Sequence, residues 1–599
     1  MIITGDWETY FSDEYSLKKM TTEAYVRDPR FKAHGIALKF DDEPAKWCPP
    51  EALHASWLRD LIERNLMLAH HAQFDGLILW HHFGLRPALW LDTLSMARVA
   101  LPHDRHSLDN LSKLFNLPGK QHQMLANAKG VREPDPATLA GLGVMACDDA
   151  DKTKIVFNQI KDQIPREEFR VIDMTIRMFT EPCLQLDTPK MERYYAKVRG
   201  QKQDALAALG LTKKDLGQDE TVASKYRELG VEPDAKITAK GNKKYAFAKT
   251  DQFMRDMLED EDERVVALTE ARLGIKSSQA ETRCERLLGM ATRGAMCVYL
   301  RYAGAHTTRW SGGDKTNWQN FQRQEKDGTP GEIRGSILAP PGTALVVADA
   351  AQIECRIVNW LAGQRDILDL FRNKLDPYSV QASRFYGRTI TKADKLERHL
   401  GKTIELGCGF GMGAERFRVT CANGPLGGAP IYLSEGEAIQ AVEAYRQAHP
   451  AVKHMWYVTA EQALDALAQR KTMVWGPLHI EDGAVWLPNG LPLWYDDPET
   501  EGGDRYFTVR GRRSKMYGGK LVENVVQALA RVVLSQAMLR LPSYLRVVNC
   551  THDEIVALAT LDMGQQGYED MVSELKRPPV WAPTLPLDAE GFYGVRYQK

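Results

Sequence analysis

Long apolar runs are missing from this 599-residue chain. No stretch approaches the roughly 18 residues that span a bilayer, and Met1 to Tyr10 carries Asp6 and Glu8 where a signal peptide would be apolar. Membrane and secreted readings are therefore poor. Cysteine is sparse as well: nine residues, with no CxxC pair and no histidine at zinc-site spacing. That pattern fits reduced thiols and a cytoplasmic protein, in the host cytoplasm if the chain is viral. An excess of either charge is absent, since 78 Lys and Arg face 79 Asp and Glu. Bulk electrostatics therefore announces no polyanion partner, and local clusters must decide. There is no internal repeat, no low-complexity segment and no HExxH pattern among the histidines.

What is present is ordinary globular material, 44% apolar and 26% charged, enough for three or four units at roughly 150 residues each. Residues 1–165 alternate short strands (2–4, 34–40, 66–70) with a helix at 52–65, an α/β pattern. Residues 166–300 read as mostly helical, and 213–263 as the least core-like part, a solvated helical arm. Beyond 300 strands and helices mix again: a buried strand at 344–348 and helices at 351–362, 398–406 and 522–541. Two strands at 546–550 and 555–559 are close enough to form a hairpin. Trp57, Trp80, Trp90 and Trp360 read as packing residues.

Two acids stand at strand ends. Asp349 follows ALVVA, and Asp553 and Glu554 lie in the turn of the hairpin. Two such carboxylates could hold a pair of Mg²⁺ ions about 3.5–4 Å apart and clamp both oxygens of a phosphoryl transfer. The surrounding words, DAAQIECR at 349–356 and THDE at 551–554, resemble motifs A and C of the family A DNA polymerases. Between them, RHLGKTIELGCGFGMG at 398–413 repeats every four residues, so Arg398, Lys402, Leu406 and Phe410 fall on one helical stripe. It is similar to motif B of that family, with Leu406 and Phe410 where aromatic residues are usual. The resemblance implies that Arg398 and Lys402 bind the triphosphate, Lys402 also protonating the leaving pyrophosphate. Phe410 would stack near the templating base, with Gln352 and Leu406 completing the dNTP site. It further implies that Glu354 is the steric gate against a 2′-hydroxyl. TTRWSGGDKTNWQN at 307–320 resembles a duplex-tracking segment, so Arg309, Gln319, Asn320, Gln527 and His552 are implied DNA contacts.

A second acidic set lies near the N-terminus. Asp6 and Glu8, two apart on a strand, share a face; Asp75 closes HHAQFD and Asp149 lies in CDDADKT. In this order they resemble the DEDD exonucleases, which implies two further Mg²⁺ ions and 3′ to 5′ removal of misincorporated nucleotides. His71 stands at the usual Asn position of the second motif, and Met145 where a water-orienting Tyr is common.

The expected fold is therefore an RNase H-like α/β exonuclease domain (1–165), followed by a right-hand polymerase. Its parts are thumb and helical connection (166–300), first palm part with motif A (301–365), fingers with motif B (366–450) and second palm part with motif C (451–599). The expected activity is primer extension on a DNA template with dNTPs and Mg²⁺, or Mn²⁺ in its place, with proofreading. The expected setting is phage replication, since no 5′-nuclease segment precedes Asp6. A monomer is expected, and no processivity factor, helicase or primase partner is legible. A single-subunit RNA polymerase is the rival enzyme, opposed by Glu354 and the N-terminal acids; a decayed DNA-binding scaffold is opposed by Asp349, Lys402 and Asp553.

Overall fold

A computed structural model describes residues 1–101, 105–119, 126–237, 242–248, 251–258, 260–276, 279–323, 329, 331–424 and 430–598. The N-terminal unit is built on five strands, β1 (Ile2–Thr9), β2 (Ala33–Phe40), β3 (Lys46–Cys48), β4 (Leu66–Ala69) and β5 (Leu89–Asp92). They are ordered β3-β2-β1-β4-β5, with β1, β4 and β5 parallel and β2 and β3 antiparallel. Helix α1 (Ala72–Phe83) connects β4 to β5, and the long α2 (Pro136–Ile160) packs across β1 and β2. This is the α/β unit expected there. The expected helix at 52–65 is broken at Ala55, which is extended at ψ 124°: a 3₁₀ turn covers Pro50–His54 and the α-helix runs only Ser56–Glu63. Trp57 is 66% exposed on that short helix and is not a packing residue.

Helix α3 (Arg166–Thr180) leads into α4 (Thr188–Leu209) and a helical lobe. The segment 213–263 departs from the expected solvated arm. Leu216, Val222, Tyr226, Phe247, Phe253 and Met254 are buried together with Val265 and Leu268 in a core separate from the main one. Arg272 is buried there too, donating to the Leu216 carbonyl and to Asp219 and lying over Phe247. The apolar positions are few and widely spaced among charges, which is why composition over a window concealed them.

The central sheet has four antiparallel strands, β6 (Thr343–Ala350), β7 (Arg546–Thr551), β8 (Glu554–Thr560) and β9 (Ala589–Gly594), ordered β7-β8-β6-β9. Behind β6 comes α5 (Ile353–Ala362), then α6 (Lys395–Cys408) and α7 (Glu435–Ala448), and α8 (Gly518–Arg540) precedes β7. The sequence intervals thus give the expected hairpin, its strands meeting at Thr551 and Glu554. Among the described residues no helix is long and apolar enough to cross a membrane.

A buried ion pair fastens α3 to α8. Arg531 grips Glu168 with both ends of its guanidinium, at 2.6 and 2.7 Å. Tyr302 and Asn489 donate to the same carboxylate at 2.6 and 2.8 Å, and the rings of Trp310 and Tyr302 flank the cation. Burial alone would raise the Glu168 pKa; these donors outweigh it and hold it below its ordinary value. Its stabilisation is therefore complete above pH 4.5 and is lost as the pH falls further. Replacing only Arg531 by Met strands a buried carboxylate and should cost about 3–5 kcal/mol in urea unfolding at pH 7. The double variant Arg531→Met/Glu168→Gln should recover most of it, and a purely additive loss would contradict the coupling.

Candidate active site

The central site is assembled by strand register. Asp349 near the end of β6 pairs directly with Glu554 on β8 and with Glu590 on β9, and partners across an antiparallel ladder present side chains on the same face. Asp553 stands in the two-residue turn before Glu554, and its carbonyl accepts from the Ala350 amide at 3.0 Å. Asp349 and Asp553 therefore open into one cavity of about 800 Å³, which Arg309, Arg323, Gln352, Glu354, Arg398, Lys402, Leu406, His552 and Glu590 also line. Segments two hundred positions apart converge there. Gln319, Asn320 and His552 line an adjoining cavity with Asp349 and Lys402. Gln527 lies on α8 and donates to Glu523 at 3.3 Å, outside both cavities.

Crowding carboxylates in a buried place raises their affinity for protons or cations. Burial, together with the neighbouring charges of Glu354 and Asp349, pushes Asp553 up to about 6 against the pull of Arg309 and Arg323. Arg309 reaches Glu354 at 2.6 Å and Asp553 at 3.4 Å. Arg323 reaches Asp349 at 3.0 Å and Glu554 at 3.3 Å, and Arg334 reaches Glu554 at 2.6 Å. Glu554 also accepts from the Tyr597 hydroxyl. It is thus held by protein donors, whereas Asp349 and Asp553 face the cavity. Arg323, Arg334 and Tyr597 were not anticipated from the sequence, because no spacing relates them to the motifs.

Helix α6 presents the cations. Lys402 has its pKa lowered by burial first and by Arg398 and Arg323 next, which eases proton release. Arg398 is paired through two nitrogens with Asp376, at 2.6 and 3.2 Å. Burial would raise Asp376, but Arg398 and Ser379 hold it below its ordinary value. Phe410 corrects the expected stripe: α6 ends at Cys408, so Phe410 lies in the turn beyond it. Gly411, at φ +78°, reverses the chain, and Trp456 Nε1 donates to the Gly409 carbonyl at 3.0 Å. Phe410 is outside the cavity lining, packed partly buried against the main core, and its carbonyl lies 2.5 Å from where a Cβ on Gly519 would be.

The N-terminal acids sit on three elements of one unit, β1, α1 and α2. Asp6 and Glu8 are half-buried on one face of β1. Asp75, in the first turn of α1, accepts from the Trp7 amide at 3.3 Å, and burial and the charge of Asp6 push its pKa well above the ordinary value. Asp149 is 3% exposed on α2. His71 caps α1 in a left-handed conformation, φ 77°, its Nε2 2.8 Å from the Tyr299 hydroxyl and its amide donating to Asp92; burial keeps the ring neutral by lowering its pKa. Met145 is buried with Ala128 and Leu142. Among the described residues no three His, Cys, Asp or Glu side chains are gathered closely enough to enclose a metal ion unaided. The donor set of the central site nevertheless fits a hard cation, because Asp349 and Asp553 both offer carboxylate oxygens to the same cavity.

The sequence model of DNA polymerase family A matches residues 226–598. The chain belongs to this family. It is 25% identical over 679 aligned positions to the DNA polymerase of Bacillus phage SP02, covering 99% of each chain. It is 32% identical over 259 residues to the thermostable DNA polymerase I of Thermus thermophilus, which spans 43% of this chain and 27% of that protein. Its fold matches the POL domain of Pol1 from M. smegmatis, solved in complex with DNA primer-template and dNTP. The TM-score is 0.69 at 16% identity, covering 99% of this chain and 95% of the other. The right-hand architecture is thereby established.

The raised Asp553 predicts a pH-dependent stability. A carboxyl whose folded pKa exceeds its unfolded 3.8 favours folding at low pH and loses that advantage as the pH climbs through about 6. Asp553→Asn should therefore stabilise the metal-free protein at pH 8 by up to about 3 kcal/mol, with no gain below pH 3.8. Tm measured across pH checks this, and a constant difference would contradict it.

Proposed function

We propose that the chain is a DNA-directed DNA polymerase that extends a primer 3′ end with dNTPs by two-metal phosphoryl transfer, with a 3′ to 5′ exonuclease in its N-terminal unit. The convergence of Asp349, Asp553, Lys402 and Arg398 on one cavity carries this reading. Asp349 and Asp553 would hold Mg²⁺, or Mn²⁺ in its place, which when bound supplies charge stabilisation at the reacting phosphate. Arg398 and Lys402 would take the triphosphate from the α6 side, and Arg309, Gln319, Asn320, Gln527 and His552 would follow the duplex. The primer 3′-hydroxyl gives up its proton to solvent, and its oxygen forms a bond to the α-phosphorus as the bond from that phosphorus to the bridging oxygen breaks. Lys402 then delivers a proton to the departing pyrophosphate, a role its lowered pKa supports.

Glu354 would exclude a ribose 2′-hydroxyl, which favours this reading over an RNA polymerase. The full-length likeness to a phage enzyme supports a role in phage DNA replication. For the N-terminal unit, Asp6, Glu8, Asp75 and Asp149 would hold the metals of a hydrolytic site. The mutual charge effect of Asp6 and Asp75 supports this.

A primer-template assay with matched and mismatched 3′ ends, with and without dNTPs, tests both activities. Asp553→Ala should lower extension about 10²–10³-fold, the loss typical of removing preorganised charge stabilisation, and leave excision intact; Asp6→Ala should do the reverse. Loss of both activities in either variant would defeat the two-site reading. Preference for ribonucleotides by the unaltered protein would instead return the RNA polymerase.

A further inference from the structure

Behind the wall of the central cavity lies a set of buried polar side chains that no step above uses. Glu405 on α6, Cys355 and Asn359 on α5, Tyr445 on α7, His449 at its C-terminal cap and Gln381 are each 2% exposed or less. Cys355 Sγ is 3.7 Å from Glu405 Oε2, and His449 Nε2 is 3.4 Å from Glu405 Oε1. The His449 ring stacks on Tyr445 with centroids 4.0 Å apart. Its Nδ1, 3.0 Å from the Tyr445 carbonyl, must be a donor, because a carbonyl only accepts. Burial, with Glu405 beside it, pushes the Cys355 thiol well above its ordinary pKa, so it remains an S–H donor to that carboxylate.

The position of this set is informative. Successive residues of an α-helix point about 100° apart, so neighbours in sequence can face opposite sides of a wall. Glu354 lines the cavity while Cys355, next in sequence, is outside its lining and packs with Ile367 and with Phe371, which does line it. Leu406 lines the cavity and packs on that same cluster, while Glu405, just before it, takes the Cys355 thiol. The contact between Cys355 and Glu405 thus joins, from behind, the two segments that carry Glu354 and Leu406. Stability does not explain a carboxylate there: burying one costs several kcal/mol, and an apolar residue would fill the space more favourably. Nor is the set saturated. Both polar atoms of the Gln381 amide, Asn359 Oδ1 and the Tyr445 hydroxyl have no hydrogen-bond partner among the described residues, which is costly and unusual for buried groups.

We propose that Glu405 is a positioning residue that, through Cys355, sets the spacing between Glu354 and Leu406 and so governs how strongly deoxyribonucleotides are preferred to ribonucleotides. The inference rests on the polymerase reading, in which Glu354 faces the sugar. Single-nucleotide extension gives kcat/KM for a dNTP and for the matching rNTP in the unaltered enzyme and in Glu405→Leu, Cys355→Val and Cys355→Ser. Glu405→Leu and Cys355→Val should each lower the dNTP to rNTP ratio about tenfold, the size of effect that small changes in pocket fit produce, through a lower KM for the ribonucleotide. Cys355→Ser, which keeps a donor for Glu405, should retain the ratio. An unchanged ratio in both disruptive variants overturns the proposal. So does an equal loss toward both nucleotides with a fall in Tm, which marks a merely structural role. If Glu405→Leu does not fold, the comparison of Cys355→Val with Cys355→Ser decides alone. Absence of extension by the unaltered protein would strike the polymerase reading instead.

Discussion

The register of β6 against its two neighbours is the constraint on which the rest of this molecule depends. It sets Glu590, Asp349 and Glu554 in one row across three strands, although like charges directly opposite one another destabilise a sheet. A slip of one residue would turn Asp349 to the other face and separate it from Asp553. The register is secured by burial: Leu345, Val346, Val347 and Ala348 on β6 and Ile555, Val556 and Ala557 on β8 are all almost fully buried. The apolar strands thus hold together acids that would otherwise separate, and Arg309, Arg323 and Arg334 offset part of their charge.

The site is entered through strained backbone. Gln352, which links β6 to α5, has φ 55°, and His552, beside Asp553, has φ 53°. In the N-terminal unit His71 plays the corresponding part between β4 and α1 at φ 77°. Left-handed conformations are uncommon in residues other than glycine and are kept where surrounding structure enforces them. At each of these points a sharp turn sends the chain from a strand end straight into the element that carries or adjoins a site acid. Here that strain makes the turn abrupt enough for Asp349 and Glu354 to line one cavity.

Much of this was readable from the sequence. The acids, the cations of α6 and the hairpin are local patterns, and a strand that ends in an acid looks the same in sequence and in space. The arginines that balance the acids could not be read, because Arg323 and Arg334 reach the site through tertiary packing and lie in no motif. Phe410 was misplaced because helical periodicity was extended through glycines that end the helix. The lobe around Tyr226 and Phe247 reads in sequence as a solvated arm because its apolar residues are thinly spread between charges. Cys355 and Glu405 gave no signal at all: each looks like filler beside a more conspicuous neighbour, and only the packing of α5 against α6 gives them meaning.

Two buried carboxylates define how the parts of the chain are joined, and they do so differently. Glu168 is saturated: a two-point guanidinium, a phenol and an amide leave it no alternative arrangement, so the junction of α3 with α8 is fixed. Glu405 has one weak donor, a thiol at 3.7 Å; its Oε1 lies 3.4 Å from His449 Nε2 without a hydrogen bond, amid other polar atoms that lack partners. A fully satisfied buried network rigidifies, and a partly satisfied one leaves competing arrangements close in energy. The first suits a joint that must hold the N-terminal unit against the sheet. The second suits a joint between α5 and α6, the two helices that flank the central cavity, which it leaves able to shift.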